Sequence, residues 1–429
     1  MAVIEVKLPI LHASQASIYR ERSRFNLVRC GRRWGKDVLQ NTIAANTAAK
    51  GGRVGLFAPE HKQLVEPFNA LREILYPIRK KASGNDGRIE TSTSGVIDFW
   101  HVDDNELAGR GREYDVVCIN EAAFTKTPSM RKEIWPKSIR PTLLVRKGSA
   151  WVFSTPNGID EENFFYACEH DTSLGFKAFH APTIGNPLIS EEDIEFERKN
   201  NDPRVFNQEF LAQYVDWSGA AFFSADSLLF NGQPVDYPAH CDMVFAAMDT
   251  AVKEGKEHDG TAVVYGAVTR HGYAWQLVIL DWDIFQIEGA MLETKMPEIF
   301  KRLEEFAKTC RARQGSVGVF IEDAQSGSIL LQQGRRHNWP VHAIESKLTS
   351  AGKDGRAISI SGYVYRGLVK FSRHAYEKTT HFKDSTRNHL WSQITSFRIG
   401  DKDAAKRSDD LLDCFLYSSA ITLGNTDGY

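Results

Sequence analysis

Phe25-Asn-Leu-Val-Arg-Cys-Gly-Arg-Arg-Trp-Gly-Lys-Asp37 joins an apolar run to a glycine-punctuated basic turn. Phe25 to Cys30 reads as a buried strand. Asp37 to Lys50 carries helix formers, and Gly51-Gly52 stops it. A turn with two glycines and a lysine, set between strand and helix, is the context of a phosphate-binding loop. Glycine lets backbone N–H groups close around phosphate, lysine meets the β/γ oxygens, and the helix N-terminus adds its dipole. Gly31, Arg32, Arg33, Trp34, Gly35, Lys36 and Asp37 are therefore candidate nucleotide-binding residues. The spacing is one residue shorter than G-x-x-x-x-G-K-[ST], and Asp37 stands where a hydroxyl residue is usual. Taken alone, so short a motif equally describes a basic turn that caps a helix.

Working outward, Arg53 to Ala58, Tyr114 to Ile119 and Ala150 to Ser154 read as three more strands alternating with helical stretches. Such repetition predicts an α/β domain with a mostly parallel sheet and helices on both faces. The third strand runs into Asn120-Glu121. At that place a nucleotidase keeps a magnesium-shell residue and then a water-activating base. Glu121 fits the base; Asn120 is neutral where aspartate is usual. Ser154-Thr-Pro-Asn-Gly158 follows the fourth strand at its C-terminal end, where open α/β sheets place groups that sense a ligand.

The second half changes character after Asp216-Trp217. Residues 218–240 hold Asn231-Gly-Gln-Pro234 and Asp236-Tyr-Pro238 and read as a linker or strand-poor bridge. Then come strands Met243–Met248, Thr261–Val268 and Ala274–Trp282, a helix from about Glu288 to Arg313, a strand Val317–Ile321, and a last helix from Asp409 to about Leu423. This is the order of an RNase H-like fold. Asp249 and Glu322 each close a strand. Asp409 and Asp410 open the last helix, with Asp413 one turn later on the same face. Two strand ends and a helix start can converge on two divalent cations about 3.5–4 Å apart. A set of hard carboxylate oxygens without His or Cys favours Mg²⁺ or Mn²⁺. Singly, each carboxylate has a plainer use in a turn or a helix cap; their order along the chain is the signal.

The bulk numbers agree with two soluble domains: 429 residues, 42% hydrophobic, 25% charged, nine Trp. A net charge of −2 excludes a uniformly basic coat for nucleic acid but leaves room for a local basic surface. Arginines gather near the N-terminus at Arg20, Arg22, Arg24, Arg29, Arg32 and Arg33, and carboxylates gather in the second half. Six scattered Cys form no CxxC pair, and no stretch suggests a signal peptide or membrane span, so a reducing cytoplasm is expected.

Gln15-Ala-Ser-Ile-Tyr19 followed by Arg24 through Lys36 resembles the opening of tailed-bacteriophage terminase large subunits. Ile321-Glu-Asp-Ala-Gln-Ser-Gly327 and Ser408-Asp-Asp-Leu-Leu-Asp-Cys414 are similar to that family's nuclease domain, and the likeness runs from about Leu11 to Ala420. The resemblance implies a P-loop ATPase domain of the ASCE type followed by an RNase H-like nuclease domain. It implies ATP and Mg²⁺ as cofactors, with Mn²⁺ serving the nuclease, and double-stranded DNA as substrate. A capsid portal protein, a small terminase subunit and a homo-oligomeric ring are the implied partners, in the host cytoplasm at the procapsid portal vertex and away from any membrane. By the same resemblance Gln15 reads adenine, Lys36 binds phosphate, Glu121 is the hydrolytic base, and Ser154, Thr155 and Pro156 couple hydrolysis to movement. Leu107-Ala-Gly-Arg-Gly-Arg112 makes Arg110 and Arg112 arginine-finger candidates. Asp249, Glu322, Asp409 and Asp410 are implied as catalytic metal ligands, with Asp413 and Asp259 accompanying them. Lys353 and Arg356 are implied as DNA-phosphate contacts.

The domain plan expected is an ATPase motor over 1–217, a linker over 218–240 and a nuclease over 241–429. Asp37 and Asn120 depart from the family pattern together, either compensating each other or weakening hydrolysis. Two other readings stay open: a nuclease with a degenerate nucleotide-binding domain, and a helicase-like ATPase with no packaging role. A helicase usually carries a second motor domain, where this chain has carboxylates.

Overall fold

The computed structural model describes residues 4–103, 105–126, 129–217, 221–250, 260–271, 274–287, 289–323, 326–350, 352–383, 385–400 and 409–424. They form two compact units, one of residues 1–199 and 203–216, the other of 200–202 and 217–429.

In the first unit the strands are β1 (Phe25–Cys30), β2 (Arg53–Ala58), β3 (Arg79–Ser83), β4 (Arg88–Thr91), β5 (Val96–His101), β6 (Val116–Asn120), β7 (Ser149–Ser154) and β8 (Lys177–Ala181). The sheet order is β3-β4-β5-β2-β6-β7-β1-β8. Six strands, β5 through β8 in that order, run parallel, and only the β3–β4–β5 edge is antiparallel. The central strands β1, β2, β6 and β7 read as largely continuous apolar runs because both faces are covered. Val28 packs with Leu39, Ile43 and Ala44 of the helix Lys36–Ala49, while its neighbour Leu27 packs on the other face with Trp135, Phe164 and Phe165. Sequence reading found the four central strands. It missed β3, β4, β5 and β8, where short polar or charged strands such as Arg79-Lys-Lys-Ala-Ser83 and Lys177-Ala-Phe-His-Ala181 have no clear apolar pattern.

The second unit has β9 (Met243–Asp249), β10 (Thr261–His271), β11 (Ala274–Phe285), β12 (Ser316–Ile321), β13 (Val341–Ala343) and β14 (Val369–Phe371), in the order β13-β12-β9-β10-β11-β14. β9, β10 and β11 are antiparallel, and β12 joins β9 in parallel. The helix Met296–Thr309 lays Ile299, Leu303 and Phe306 on one face against Val263 and Tyr265. Tyr417 of the last helix, Asp410–Leu423, packs with Ala247 and Ile344. The expected helix from Glu288 begins later: Gly289–Lys295 is 3-10, and α-helix starts at Met296 with Pro297 in its first turn, where a missing N–H costs nothing. Residues 221–240 group with this unit; they carry a 3-10 turn at Asp226–Leu228 and a bridge from Val235 to Ser372. No helix among the described residues is long and apolar enough to cross a membrane.

Candidate functional sites

The first site lies at the C-terminal ends of β6, β7 and β1, which are neighbours in the sheet. Parallel strands deliver their following loops to one edge, so Lys36, Glu121 and Ser154 meet although the sequence separates them widely. The loop after β1 turns through two left-handed residues, Arg33 at φ 62° and Gly35 at φ 101°. A side chain on Gly35 would also meet the Gln15 amide nitrogen at 2.6 Å. Gly31 is tighter still: a Cβ there would lie 2.3 Å from Thr183 Oγ1 and 2.5 Å from the Phe210 carbonyl. Both glycines are thus required by contact.

The loop is braced from outside. Gln15, only 1% exposed, donates from Nε2 to the Gly35 carbonyl at 2.7 Å and accepts from His12 N at 3.0 Å. His12 Nε2 pairs with the Trp34 carbonyl at 2.9 Å, and Asn186 Nδ2 donates to the Arg33 carbonyl at 2.6 Å. Arg32 Nε binds Glu209 at 2.6 Å. Trp34 is wholly buried, with its ring edge-on to His12, so it anchors the loop from beneath. Gln15 and Trp34 were expected to face the nucleotide; in this conformation their side chains hold the loop. His12, Thr183, Asn186 and Glu209 were not foreseen, because ordinary-looking residues far along the chain leave no local pattern.

Four polar side chains then pair off. Lys36 Nζ lies 2.8 Å from Glu121 Oε1, and Asn120 Nδ2 donates to Asp37 Oδ1 at 2.9 Å. Burial works against the Lys36 charge, but Glu121 and then Asp37 outweigh it, so the ammonium is held above its ordinary pKa. Glu121 itself sits in the left-handed region at φ 50°, an uncommon conformation for a residue with a Cβ. Ser154 Oγ donates to Glu121 Oε2 at 3.4 Å and accepts from Ala123 N at 3.3 Å. One predicted coupling residue therefore touches the predicted base. Thr155 and Pro156 follow it in the buried turn. Arg110 and Arg112 are exposed on a turn whose Gly109 and Gly111 both have positive φ, and neither has a carboxylate partner among the described residues. Arg112 stands 6.0 Å from the centre of the Trp100 ring.

The second site is built by the β9–β12 register, which sets Ile321 beside Met248 and so brings Glu322 alongside Asp249. The helix Asp410–Leu423 adds Asp409 as its N-cap residue and Asp410 and Asp413 in its first turn. Asp249 feels all of them. Burial first, then Asp413, Asp410 and Glu322, hold its carboxyl well above the usual range, with Lys353 acting in the other direction. Asp410 Oδ2 accepts from Gly260 N at 3.2 Å, and Glu322 Oε2 accepts from Tyr417 Oη at 3.0 Å. Among the described residues no three His, Cys, Asp or Glu side chains close round a common point as they stand. The donor set nevertheless suits a divalent ion: oxygen ligands only, crowded until one carboxylate resists ionising. Asp259 lies outside the described residues.

Lys353 and Arg356, expected on DNA phosphate, are turned to the carboxylates here. Lys353 pairs with Asp409 and lies 2.9 Å from Asp413; Arg356, 6% exposed, pairs with Asp413 and stacks 4.4 Å from the centre of the Tyr417 ring. Sequence reading had no means of seeing Tyr417, since a tyrosine inside an apolar helix looks like core.

No family model matches the chain. It is 29% identical over 138 residues to "Terminase, large subunit" of Thermus virus P23-45, a match covering 28% of this chain and 27% of that one. The corresponding protein of Thermus phage G20c matches to the same extent, so the chain spans about a quarter of the length of these relatives. Among solved structures, the large terminase of a thermophilic bacteriophage superposes with a TM-score of 0.64 at 13% identity, covering 97% of this chain and 100% of that one. The same protein in complex with ADP gives 0.63, covering 96% and 99% at 13% identity. The two-part fold expected from the sequence is borne out, and so is the resemblance to terminase large subunits.

Proposed function

We propose that this chain is a terminase large subunit that hydrolyses ATP to drive double-stranded viral DNA into a procapsid and cuts the concatemer with a divalent-metal nuclease. The observation that carries the reading is the Lys36–Glu121 pair, 2.8 Å apart where the glycine loop meets the end of β6 in a parallel sheet. The motor spans 1–217, a linker 218–240 and the nuclease 241–429.

At the ATP site Lys36 neutralises phosphate oxygens as the loop N–H groups close on them. Phosphate drawing Lys36 away releases Glu121, whose carboxylate then orients and deprotonates the attacking water. Ser154, bonded to Glu121, reports that exchange along the Thr155-Pro156 turn. Gln15 holds the loop and reads the adenine edge when nucleotide enters. Arg110 and Arg112 are free to stabilise charge on the transferring phosphoryl group. At the second site Asp249, Glu322, Asp409 and Asp410 would hold Mg²⁺ or Mn²⁺, with Asp413 supporting. When bound, the ions make a water nucleophilic and stabilise the leaving 3′-oxygen. Lys353 and Arg356 would pass from the carboxylates to DNA phosphates once the ions take their place. A portal protein, a small subunit and a ring of copies at the portal vertex complete the assembly.

The test separates the halves. Wild type should show DNA-stimulated ATP hydrolysis and Mg²⁺-dependent plasmid cleavage. Glu121→Ala should lose only the first and Asp249→Ala only the second. Equal ATPase rates in wild type and Glu121→Ala would end the motor reading.

A further inference from the structure

Asp37 and Asn120, the two residues that break the nucleotide-site pattern, touch each other. In this type of site the metal usually meets a hydroxyl from the residue after the lysine and a carboxylate at the end of the strand that precedes the base. Here the first place holds Asp37, in the opening turn of Lys36–Ala49, and the second holds Asn120, the last residue of β6. A neutral hydroxyl with an aspartate carries one negative charge, and so does an aspartate with an asparagine. The charge has crossed a single hydrogen bond, Asn120 Nδ2 to Asp37 Oδ1, 2.9 Å long.

The rest of the geometry favours a deliberate exchange. Asn120 is 6% exposed, and its amide is oriented at both ends: Nδ2 to Asp37, Oδ1 accepting from Glu121 N at 3.1 Å. Asp37 is exposed at the loop, and its Oδ2 accepts no hydrogen bond among the described residues. Lys36 and Glu121 cancel one another. Asp37 is thus the one carboxylate of the four residues without a cation partner, one position from the phosphate-binding lysine. Such a charge repels a triphosphate unless a cation lies between them.

We infer that Asp37 supplies the carboxylate of the metal shell at the nucleotide site, with Asn120 as the neutral residue that positions it. The inference rests on the proposed nucleotide site and adds which residue carries its metal-facing charge. A plainer role for Asp37, an acid favouring the helix dipole, makes no demand on Asn120 and none on metal.

Binding of ATPγS to the full chain, by calorimetry with Mg²⁺ and with EDTA, decides between them. Wild type should bind more tightly with Mg²⁺. Asp37→Ser should lose that gain by about tenfold or more, the size of one charge-assisted contact of ~1.5 kcal/mol, and bind in EDTA at least as tightly as wild type, because the repelling charge is gone. Asp37→Ser with Asn120→Asp should recover the gain to within a few-fold, and Mn²⁺ EPR should show again the bound ion that appears only on adding ATPγS. Undiminished Mg²⁺ dependence in Asp37→Ser, or failure of the double variant to recover it, overturns the inference while the nucleotide site stands. Wild type that binds ATPγS under neither condition overturns the proposed function itself, and this inference with it.

Discussion

The two sites handle charge in opposite ways. At the loop after β1 Lys36 pairs with Glu121 and Arg32 with Glu209, Asp37 meets only the neutral Asn120, and the exposed Arg33 has no carboxylate partner among the described residues. At the ends of β9 and β12 the carboxylates outnumber their cations. Asp249 is pushed up by burial and three acidic neighbours, and Lys353 and Arg356 reach only Asp409 and Asp413. On the proposed reading the first site is already organised to receive an anion with its ion. The second is crowded by like charge and, on the same reading, is organised by the cations it would receive. The fold explains the contrast. A glycine loop is shaped by backbone contacts that need no ligand, whereas carboxylates on two strand ends and a helix are forced together by packing elsewhere in the unit.

The sharpest way to break this comparison is at the base. Glu121→Ala should lower ATP hydrolysis by about 10²–10⁴-fold, the range for removing a general base, and leave plasmid cleavage within a few-fold of wild type. Loss of both activities together would mean that the two sites are not separately organised. Next in size is metal occupancy at the carboxylates. Lys353→Ala removes the cation that competes for Asp409 and Asp413, so it should tighten Mn²⁺ binding at that site by roughly 5–10-fold, about 1 kcal/mol. Weaker binding would place Lys353 among the groups that assemble the site.

A smaller effect reads out the strain itself. Asp249 holds its proton more tightly folded than unfolded. The folded unit therefore binds excess protons between the ordinary carboxylate range and the raised value, and its metal-free stability falls as pH rises through that window. In EDTA, Asp249→Asn should flatten this decline and raise the neutral-pH melting temperature by about 2–4 °C per kcal/mol relieved. A variant less stable than wild type at neutral pH would show that Asp249 is supported rather than crowded. Smallest is Tyr417→Phe. It removes the hydroxyl on Glu322 and should cost about 1 kcal/mol of stability, with less than a tenfold loss of cleavage.

Legibility in the sequence followed locality. β1, the loop and the helix after it are consecutive, so Gly31, Gly35 and Lys36 announced themselves together. Asp249 and Glu322 were readable because each closes an apolar run, and Asp410 because it opens one. The charged strands β3 and β4 were not, since a short edge hairpin needs no apolar period. Nor were His12, Asn186 and Tyr417, whose contacts lie 22, 153 and 95 residues away along the chain.

By itself the sequence determined the two-part α/β plan and singled out the loop lysine, the glutamate after β6 and the strand-end carboxylates. Apolar period and turn residues act over a few positions and are written into the chain. Tertiary structure alone decided which polar groups face one another. Parallel pairing of β6, β7 and β1 placed Asn120 against Asp37 and Ser154 against Glu121, and the β9–β12 register placed Glu322 beside Asp249. Those contacts depend on strand order and register, which are set by how the whole core packs. No local pattern encodes them.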